Sequence, residues 1–546
     1  MKSPDVEMDQ RFYQKVIMTN NDKRNIVLTG FMGTGKTTVG KLVAEKLKRQ
    51  FVDTDELIQE RQGLTIPEIF AQHGEVAFRQ MEASLAEELG QRQELVISTG
   101  GRLMLDPKNV VALTRGGRVF CLIAIAQEIL SRIASDDGHK RPLLEVANPE
   151  AQIVALLEER RKGYHCFQKI VTSGKNPQQV AEHLLNIFHD KPKRFLVETP
   201  AQSYEYIIGS GILPFIRQLT GVTGSLVVIT DSVVGELYVQ GCGDVDHVIT
   251  IPSGNKKKTL ATVEDICNEL IAIGFDRDGT IVALGGRDVG DVAGFVAATY
   301  MRGVDFIQCP TSLLAMADTS IGGKTSIDLP GGKNVIGVFK QPLMVIADVA
   351  TLQTLPAADF KSGMAEVIKH GLIADSTLLN LVEEGDWYHE SGTLYTSLFD
   401  VQALVAQSIQ VKIKFIEEDP FDHGKRFSLH LGHTFAHAIE QVSDYAIRHG
   451  DAVAMGMVVA ANVSARLGLC SPDQQTRTEL ILQKVGLPIR LPKLSPERLL
   501  KAMENDKKRR GEVIQIVIPR GIGKTSVADD IPASEIKATL LELMPG

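Results

Sequence analysis

The segment Asn25–Leu47, NIVLTGFMGTGKTTVGKLVAEKL, joins an apolar β-rich run to an amphipathic helical stretch through a glycine-rich loop. Within it, Gly30–Thr37 reads GFMGTGKT and completes the pattern G-x-x-x-x-G-K-[ST]. Ordinary residue frequencies would supply about 0.02 such matches in a chain of this length. The tripeptide GKT recurs at 323–325 and 523–525, but neither copy completes the pattern. In such a loop the glycines let backbone N–H groups turn inward onto phosphate, and the following helix N-terminus adds partial positive charge. Lys36 would neutralise the transferring phosphoryl group and Thr37 would hold Mg²⁺.

Working outward, short β-rich runs (NIVLTG, QFVDTD, ELVISTG, RVFCLIA, KIVTS) alternate with helical stretches from residue 26 to about 188. That alternation predicts a parallel sheet with helices on both faces. Asp53 and Asp55 close the second run, where strand alternation places both on one side at the carboxyl edge of the sheet. One carboxylate there can organise Mg²⁺ and the other can orient or deprotonate a hydroxyl acceptor; a helix N-cap at Asp55 is the structural alternative. Together with GEVAFRQME, STGG and HKRPLLE, these features resemble shikimate kinase over roughly 160 residues. The resemblance implies ATP on Gly33, Thr34, Gly35, Lys36, Thr37 and Thr38, and Mg²⁺ aided by Thr37 and Asp53. It implies shikimate on Asp55, Arg79 and Gly101, with Arg141 closing from a lid. Two departures stand out. Arg102 takes the third place of a three-glycine run, and RRKGYHCFQK offers no clear equivalent of the family's late arginine on the shikimate carboxylate.

The chain has 546 residues, 44% hydrophobic and 23% charged, with a formal net charge of −8. Such a length predicts several domains, and the acidic balance argues against wholesale nucleic-acid binding. The first residues lack an apolar core and read as a frayed tail (1–24), and no run reaches membrane-spanning length. Six cysteines at 121, 166, 242, 267, 309 and 470 show no paired spacing, so neither a disulfide framework nor a zinc–thiolate site is expected. A cytoplasmic enzyme of small molecules, without nucleic-acid or membrane partners, fits these facts. The stretch 189–203, HDKPKRFLVETPAQS, reads as a linker after a kinase-sized domain at 25–188. A second α/β set (YEYIIG, SLVVITD, DHVITIP, GTIVALGG, DFIQCPT) fills 204–354, and from 355 to the end strand signals nearly vanish in favour of helical patterning.

Ser428–Glu440, SLHLGHTFAHAIE, places His430, His433 and His437 at steps of three and four, one face of a helix. A catalytic zinc site uses a carboxylate and two imidazoles. By spacing alone, His433 with His437 is the natural pair, and His449, after a helix break, can reach back. MADTSIGGKTSIDLPGGKNVIGVF reads as a loop with cationic tips for an anionic ligand, and SGMAEVIKHG puts Glu366 and Lys369 on one helical face. A surface salt bridge is the alternative for that pair.

LGHTFAHAIE, AEVIKHG, DTSIGGKTSID, GGKNVIG and DKKRRGEV, in this order, resemble 3-dehydroquinate synthase over residues 195 to 546. The resemblance implies an α/β NAD-binding domain followed by an all-α metal-binding domain, and a homodimer through this half. It implies Zn²⁺ on Glu366, His433 and His449, leaving His437 as a catalytic imidazole. Arg302, Lys324, Lys369, Lys412 and Arg426 would clamp phosphate and carboxylate, joined by Lys507 or Lys508, while Asp318 and Asn334 orient hydroxyls. NAD⁺ would lie on Asn255, Lys258, Gly286, Gly290, Asp291, Thr311, Ser312, Lys324, Lys333 and Thr354. His430 stands where the family places asparagine beside the substrate. The whole therefore reads as a two-activity enzyme of aromatic biosynthesis. The competing readings are a synthase with a kinase-inactive nucleotide-binding module, and a polyol dehydrogenase of similar architecture.

Overall fold

A computed structural model describes residues 23–134, 148–165, 167–189, 191–254, 258–385, 387, 398–422, 424–504 and 515–545. Arg141, Asn255, Lys507, Lys508 and the tail up to residue 22 lie outside them. Contacts divide the chain into two units. One comprises Met1–Pro192, Gly209–Ser253 and Asp278–Thr280; the other comprises Lys193–Ile208, Gly254–Arg277 and Ile281–Gly546.

In the first unit, β1 (Asn25–Thr29), β2 (Gln50–Asp53), β3 (Leu95–Ser98), β4 (Gly117–Ile123) and β5 (Gln168–Val171) form a parallel sheet in the order β2-β3-β1-β4-β5. All five expected runs are strands. Every residue of central β1 is buried, as a strand covered on both faces requires. Its side chains alternate between two cores. Val27 packs with Ile69, Phe78 and Leu85 on one face, whereas Ile26 and Leu28 pack with Val39, Val43 and Leu184 on the other. The chain leaves β1 where the strand order turns outward in both directions, which places the phosphate loop at the switch point of the sheet. The same unit holds the parallel strand pair Leu226–Asp231 and His247–Ile251. Buried Arg118 on β4 ties this unit internally, donating to Ile187 O at 2.7 Å, to Gln168 Oε1 at 3.0 Å and to Ser210 O.

In the second unit, the strands Lys193–Val197, Tyr204–Gly209, Met344–Asp348, Asp305–Pro310 and Thr280–Gly285 are neighbours in that order. The expected linker therefore contains a strand. Lys193–Val197 pairs antiparallel with Tyr204–Gly209, Phe195 opposite Tyr206. A short charged edge strand carries no periodic signal, and only its pairing partner makes it one. A second correction concerns the glycine-rich loop. After a π-helical turn at Ala315–Thr319, Lys324–Leu329 and Gly332–Phe339 form an antiparallel hairpin, Ile327 opposite Ile336.

The remainder is mostly helical, as expected, with one ribbon, Ile516–Gly521 paired to Lys524–Ala528, that the helical reading did not include. The helices Ala357–Ala374, Leu398–Glu418, His433–Val442 and His449–Arg466 share one apolar core. Two of them meet at glycines. Gly432, in left-handed backbone at φ 79°, caps His433–Val442 and has Met457 N 2.8 Å from the place a Cβ would occupy. A Cβ on Gly456 would lie 2.1 Å from Gly432 O. This contact draws His433 and His449, at the starts of the two helices, toward each other. His430 is not on that helix; it ends the separate short helix Lys425–His430. No helix among the described residues is long and apolar enough to cross a membrane. Gly456→Ala should cost about 1–3 kcal/mol or more of synthase stability by overpacking, read as a lower denaturant midpoint for loss of cyclisation with the kinase transition unmoved.

Candidate active sites

The phosphate loop is shaped by left-handed glycines, Gly33 at φ 75° and Gly35 at φ 93°, the latter capping the helix Lys36–Leu47. Thr34 Oγ1 donates to Phe31 O at 2.7 Å, and Lys36 Nζ donates to Gly30 O and Phe31 O at 2.9 and 3.1 Å. Thr37 Oγ1 lies 3.0 Å from Asp53 Oδ2, so the two groups expected to share Mg²⁺ already meet. Asp53 ends β2 and its other oxygen caps the helix Thr54–Gln62 through Asp55 N and Glu56 N. Asp55 is therefore in the first helical turn rather than on the strand. It still faces the site, because Gly100 comes so close that a Cβ there would sit 2.4 Å from Asp55 Oδ1. Burial pushes the Asp55 carboxyl up to about 6, with Asp53 and Glu82 adding to the rise and Lys36 and Arg79 opposing it.

On the acceptor side, Arg79 is gripped by buried Glu82 at 2.6 Å and by Glu75 at 3.0 Å. Arg102 lies 3.9 Å from the same Glu75 carboxylate and is half exposed. Sequence reasoning passed over Arg160. It is buried, stacks on Phe31 at 5.1 Å, and places Nη1 3.6 Å from where a Gly101 Cβ would be. One turn later Tyr164 donates to Gly101 O. A late arginine thus lies beside Gly101, one of the residues expected to bind the acceptor. The signal was an Arg with a Tyr four residues on, hidden in a run of basic residues.

In the second unit, Glu366 is wholly buried, and its Oε1 has no hydrogen-bond partner among the described residues. Its neighbours are His433 Nε2 at 3.5 Å and His449 Nε2 at 3.6 Å. Those separations fit a tetrahedral ion with bonds of about 2.0–2.1 Å, so the trio suits a divalent metal. Each imidazole is aimed by its other nitrogen: His433 Nδ1 lies 3.3 Å from Leu431 O, and His449 Nδ1 lies 3.3 Å from Glu440 Oε1. Glu440 is a second residue that sequence reasoning did not single out. It lies in the histidine helix, and its carboxylate–imidazole pairing is typical around a metal. His437 is not among the described residues whose donor atoms converge on Glu366, and its ring lies 5.8 Å from that of His433 and perpendicular to it. The pairing suggested by spacing alone is thereby set aside.

Burial raises the Glu366 carboxyl, but the Lys369 ammonium bonded to its other oxygen outweighs this and holds it down to about 2. Lys412 pairs with Asp318 at 2.7 Å, and burial lowers its ammonium to about 8. Asp291, Asp318, Lys324, Asn334, Lys369, Lys412, Arg426, His430, His433, His437 and His449 all line one cavity of 460 Å³, with Arg287 beside them. Arg426 is pinned by Pro420 O at 2.8 Å, and Lys324 by Asp422 Oδ2 at 2.6 Å. His430 Nε2 lies 3.5 Å from the same Asp422 oxygen.

The dinucleotide candidates divide. Thr311 N bonds Gly285 O at 3.0 Å and Ser312 adjoins Gly286, so these residues join at the carboxyl ends of two buried strands. Gly290 makes room for Gln308, and Lys258 bonds both Asp291 and Asn334. Lys333 instead lies over the Tyr445 ring at 4.0 Å, and Thr354 bonds Thr351 O at 3.1 Å. Arg302 is exposed, in left-handed backbone at φ 66°, and is not among the cavity residues.

A switch-point phosphate loop facing a carboxylate defines a P-loop kinase; a three-donor metal pocket in a cationic cavity beside a strand-end glycine turn defines a metal- and dinucleotide-dependent enzyme of anionic substrates. The family models agree. Shikimate kinase matches residues 32–189, and the N-terminal and C-terminal parts of 3-dehydroquinate synthase match 248–362 and 363–509. A 3-dehydroquinate synthase of Syntrophotalea carbinolica is 42% identical over 358 residues, 63% of this chain and 97% of that protein. The 2-epi-5-epi-valiolone synthase of Streptomyces hygroscopicus subsp. jinggangensis, with NAD⁺ and Zn²⁺ bound, shares the fold at 24% identity and a TM-score of 0.59, covering 63% and 98% of the two chains. A 2-deoxy-scyllo-inosose synthase complexed with carbaglucose-6-phosphate, NAD⁺ and Co²⁺ is 25% identical, with a TM-score of 0.56 over 64% and 99%. The chain belongs to the 3-dehydroquinate synthase family and carries a shikimate kinase domain ahead of the synthase, a bifunctional enzyme of the shikimate pathway.

Two outcomes test the geometry. Glu440→Gln should weaken metal binding 10- to 100-fold in a chelator competition, a loss of the size expected for an outer partner. If Asp55 is the expected base, the kinase kcat/KM for shikimate should fall with unit slope below about pH 6, where its carboxyl takes up a proton; Asp55→Asn should remove that limb together with nearly all activity.

Proposed function

We propose a division of roles over the two units. In the kinase, Gly33–Thr38 cradle ATP, Thr37 and Asp53 hold Mg²⁺, and Lys36 follows the transferring phosphoryl group. Asp55 takes the proton from the shikimate hydroxyl, while Arg79, Gly101 and Arg160 bind the acid, with Arg141 closing over it. Buried Arg160, beside Gly101, supports an active kinase over a nucleotide-binding regulatory module, because it offers a guanidinium where the acid is expected to bind.

In the synthase, 3-deoxy-D-arabino-heptulosonate 7-phosphate becomes 3-dehydroquinate with loss of phosphate. Glu366, His433 and His449 would hold Zn²⁺ or a similar ion. That ion would acidify a substrate hydroxyl, and NAD⁺ on the Gly286 turn would oxidise the adjoining carbon for part of the cycle. Lys324, Lys412 and Arg426 grip the phosphate and carboxylate, and Asp318 and Asn334 orient hydroxyls. His437 moves a proton at the cavity wall, and His430 contacts the substrate from the Asp422 side. Alignment of groups by such a cavity supplies about 7–11 kcal/mol of a barrier.

The observation that carries the reading is the orphaned Glu366 oxygen facing two anchored imidazoles. The reading extends to a cytoplasmic homodimer through the synthase half. The test assays each substrate with wild type, Lys36→Ala and His433→Ala. Lys36→Ala should lose shikimate-dependent ADP formation and keep cyclisation within a few-fold. His433→Ala should lose bound metal and only cyclisation. Phosphate release without net NADH separates the synthase from a polyol dehydrogenase, which would accumulate reduced cofactor. Retained metal in His433→Ala would refute that ligand.

A further inference from the structure

The helix Ala357–Ala374 that carries Glu366 buries one further imidazole to which no role has been given. His370 is wholly buried, and its Nδ1 lies 2.8 Å from Ser408 Oγ on the helix Leu398–Glu418. Its Nε2 has no hydrogen-bond partner among the described residues. Donor atoms of His370, Asp318 and Glu366 all lie within 4.8 Å of one another.

Three such donors resemble a cation site, but the carboxylates there are already neutralised. Lys369 is bonded to Glu366, and Lys412 is bonded to Asp318 at 2.7 Å. A divalent ion at this depth would face two ammonium groups across a few ångströms. Lys369 and Lys412 already balance the two carboxylates, so a third cation at this depth has no counter-charge and the buried ring is neutral. A neutral imidazole donates through one nitrogen and accepts through the other, whereas ionised carboxylates only accept. The nitrogen facing Asp318 and Glu366 must therefore carry the hydrogen, and Nδ1 accepts from the Ser408 hydroxyl.

We propose that His370 is a positioning residue of the synthase: Ser408 fixes its tautomer, and its Nε2–H holds the Asp318 and Glu366 carboxylates through one bridging water. With this donor beneath it, Glu366 keeps one oxygen on Lys369 and turns Oε1 toward His433 and His449. Asp318 likewise stays on Lys412 at the cavity wall. Remove the donor, and Lys369 competes for both Glu366 oxygens while the ring site becomes apolar. The inference rests on the reading of Glu366 as a metal ligand.

The experiment uses the full chain loaded with Co²⁺ and compares wild type, His370→Phe, His370→Gln and Ser408→Ala. His370→Phe keeps the volume and loses the donor; kcat for cyclisation should fall 10- to 100-fold, and the visible absorption of bound Co²⁺ should change. Shikimate kinase activity, measured on the same preparation, should be unaltered. His370→Gln restores an N–H and should recover kcat and the spectrum to within a few-fold, and Ser408→Ala should fall between. The proposal is overturned if Phe leaves kcat and the spectrum unchanged, or if Gln and Phe are equally impaired, which would mean the ring only fills space. A second Co²⁺ bound by the wild-type chain and lost in His370→Phe would overturn it as well, by making the trio a cation site. Failure of the underlying reading shows itself separately, as a wild-type cyclisation indifferent to chelator or a Glu366→Gln variant with the wild-type Co²⁺ spectrum.

Discussion

The synthase is organised around a carboxylate that has no access to water. An isolated ionised carboxyl in a protein interior is strongly disfavoured, yet Glu366 is held in its charged form. Lys369, one helical turn away, takes one oxygen and leaves the other turned to the two imidazoles. Around this pair stand half-buried Asp318, buried Asp291 and three buried cations, Lys369, Lys412 and Arg426. In the proposed reading an anionic substrate meets these cations.

The kinase solves a different problem with a similar economy of parts. Phosphoryl transfer asks for position and charge rather than covalent help. The sheet delivers both, since the loop after β1 and the carboxylate ending β2 share the carboxyl edge, and Thr37 meets Asp53 there. The acceptor side is ordered by acids that hold arginines in place: Glu82 and Glu75 on Arg79, and Glu75 near Arg102. Arg102, which stands where a glycine would leave open space, is thereby drawn along the rim. The described residues of each candidate site lie within one unit, in keeping with two reactions that are not consecutive.

Local pattern was enough for a large part of this molecule. The phosphate loop, the strands of both sheets that read as apolar runs, and the helical character beyond residue 355 all follow from periodicity and glycine placement over a few tens of residues. What depended on a partner did not show. The strand Lys193–Val197 lay in an expected linker, and the hairpin from Lys324 to Phe339 lay in an expected loop. Exposed or charged strands have no apolar alternation to betray them, and hydrogen bonds to a neighbour define them.

The same division runs through the sites. Sequence by itself determined the chemical types present: a phosphate loop, a histidine cluster, a Glu–Lys pair on one helical face, and lysines among glycines. Spacing along one helix favoured His433 with His437, because neighbours on a helix are the only neighbours a sequence displays. Tertiary structure decided otherwise. Gly432 and Gly456 let two helices touch, so that His449, sixteen residues from His433, faces it across Glu366, while Glu440 and Leu431 aim the two rings. A metal site is a set of directions in space as much as a set of residues, and directions arise only when elements pack.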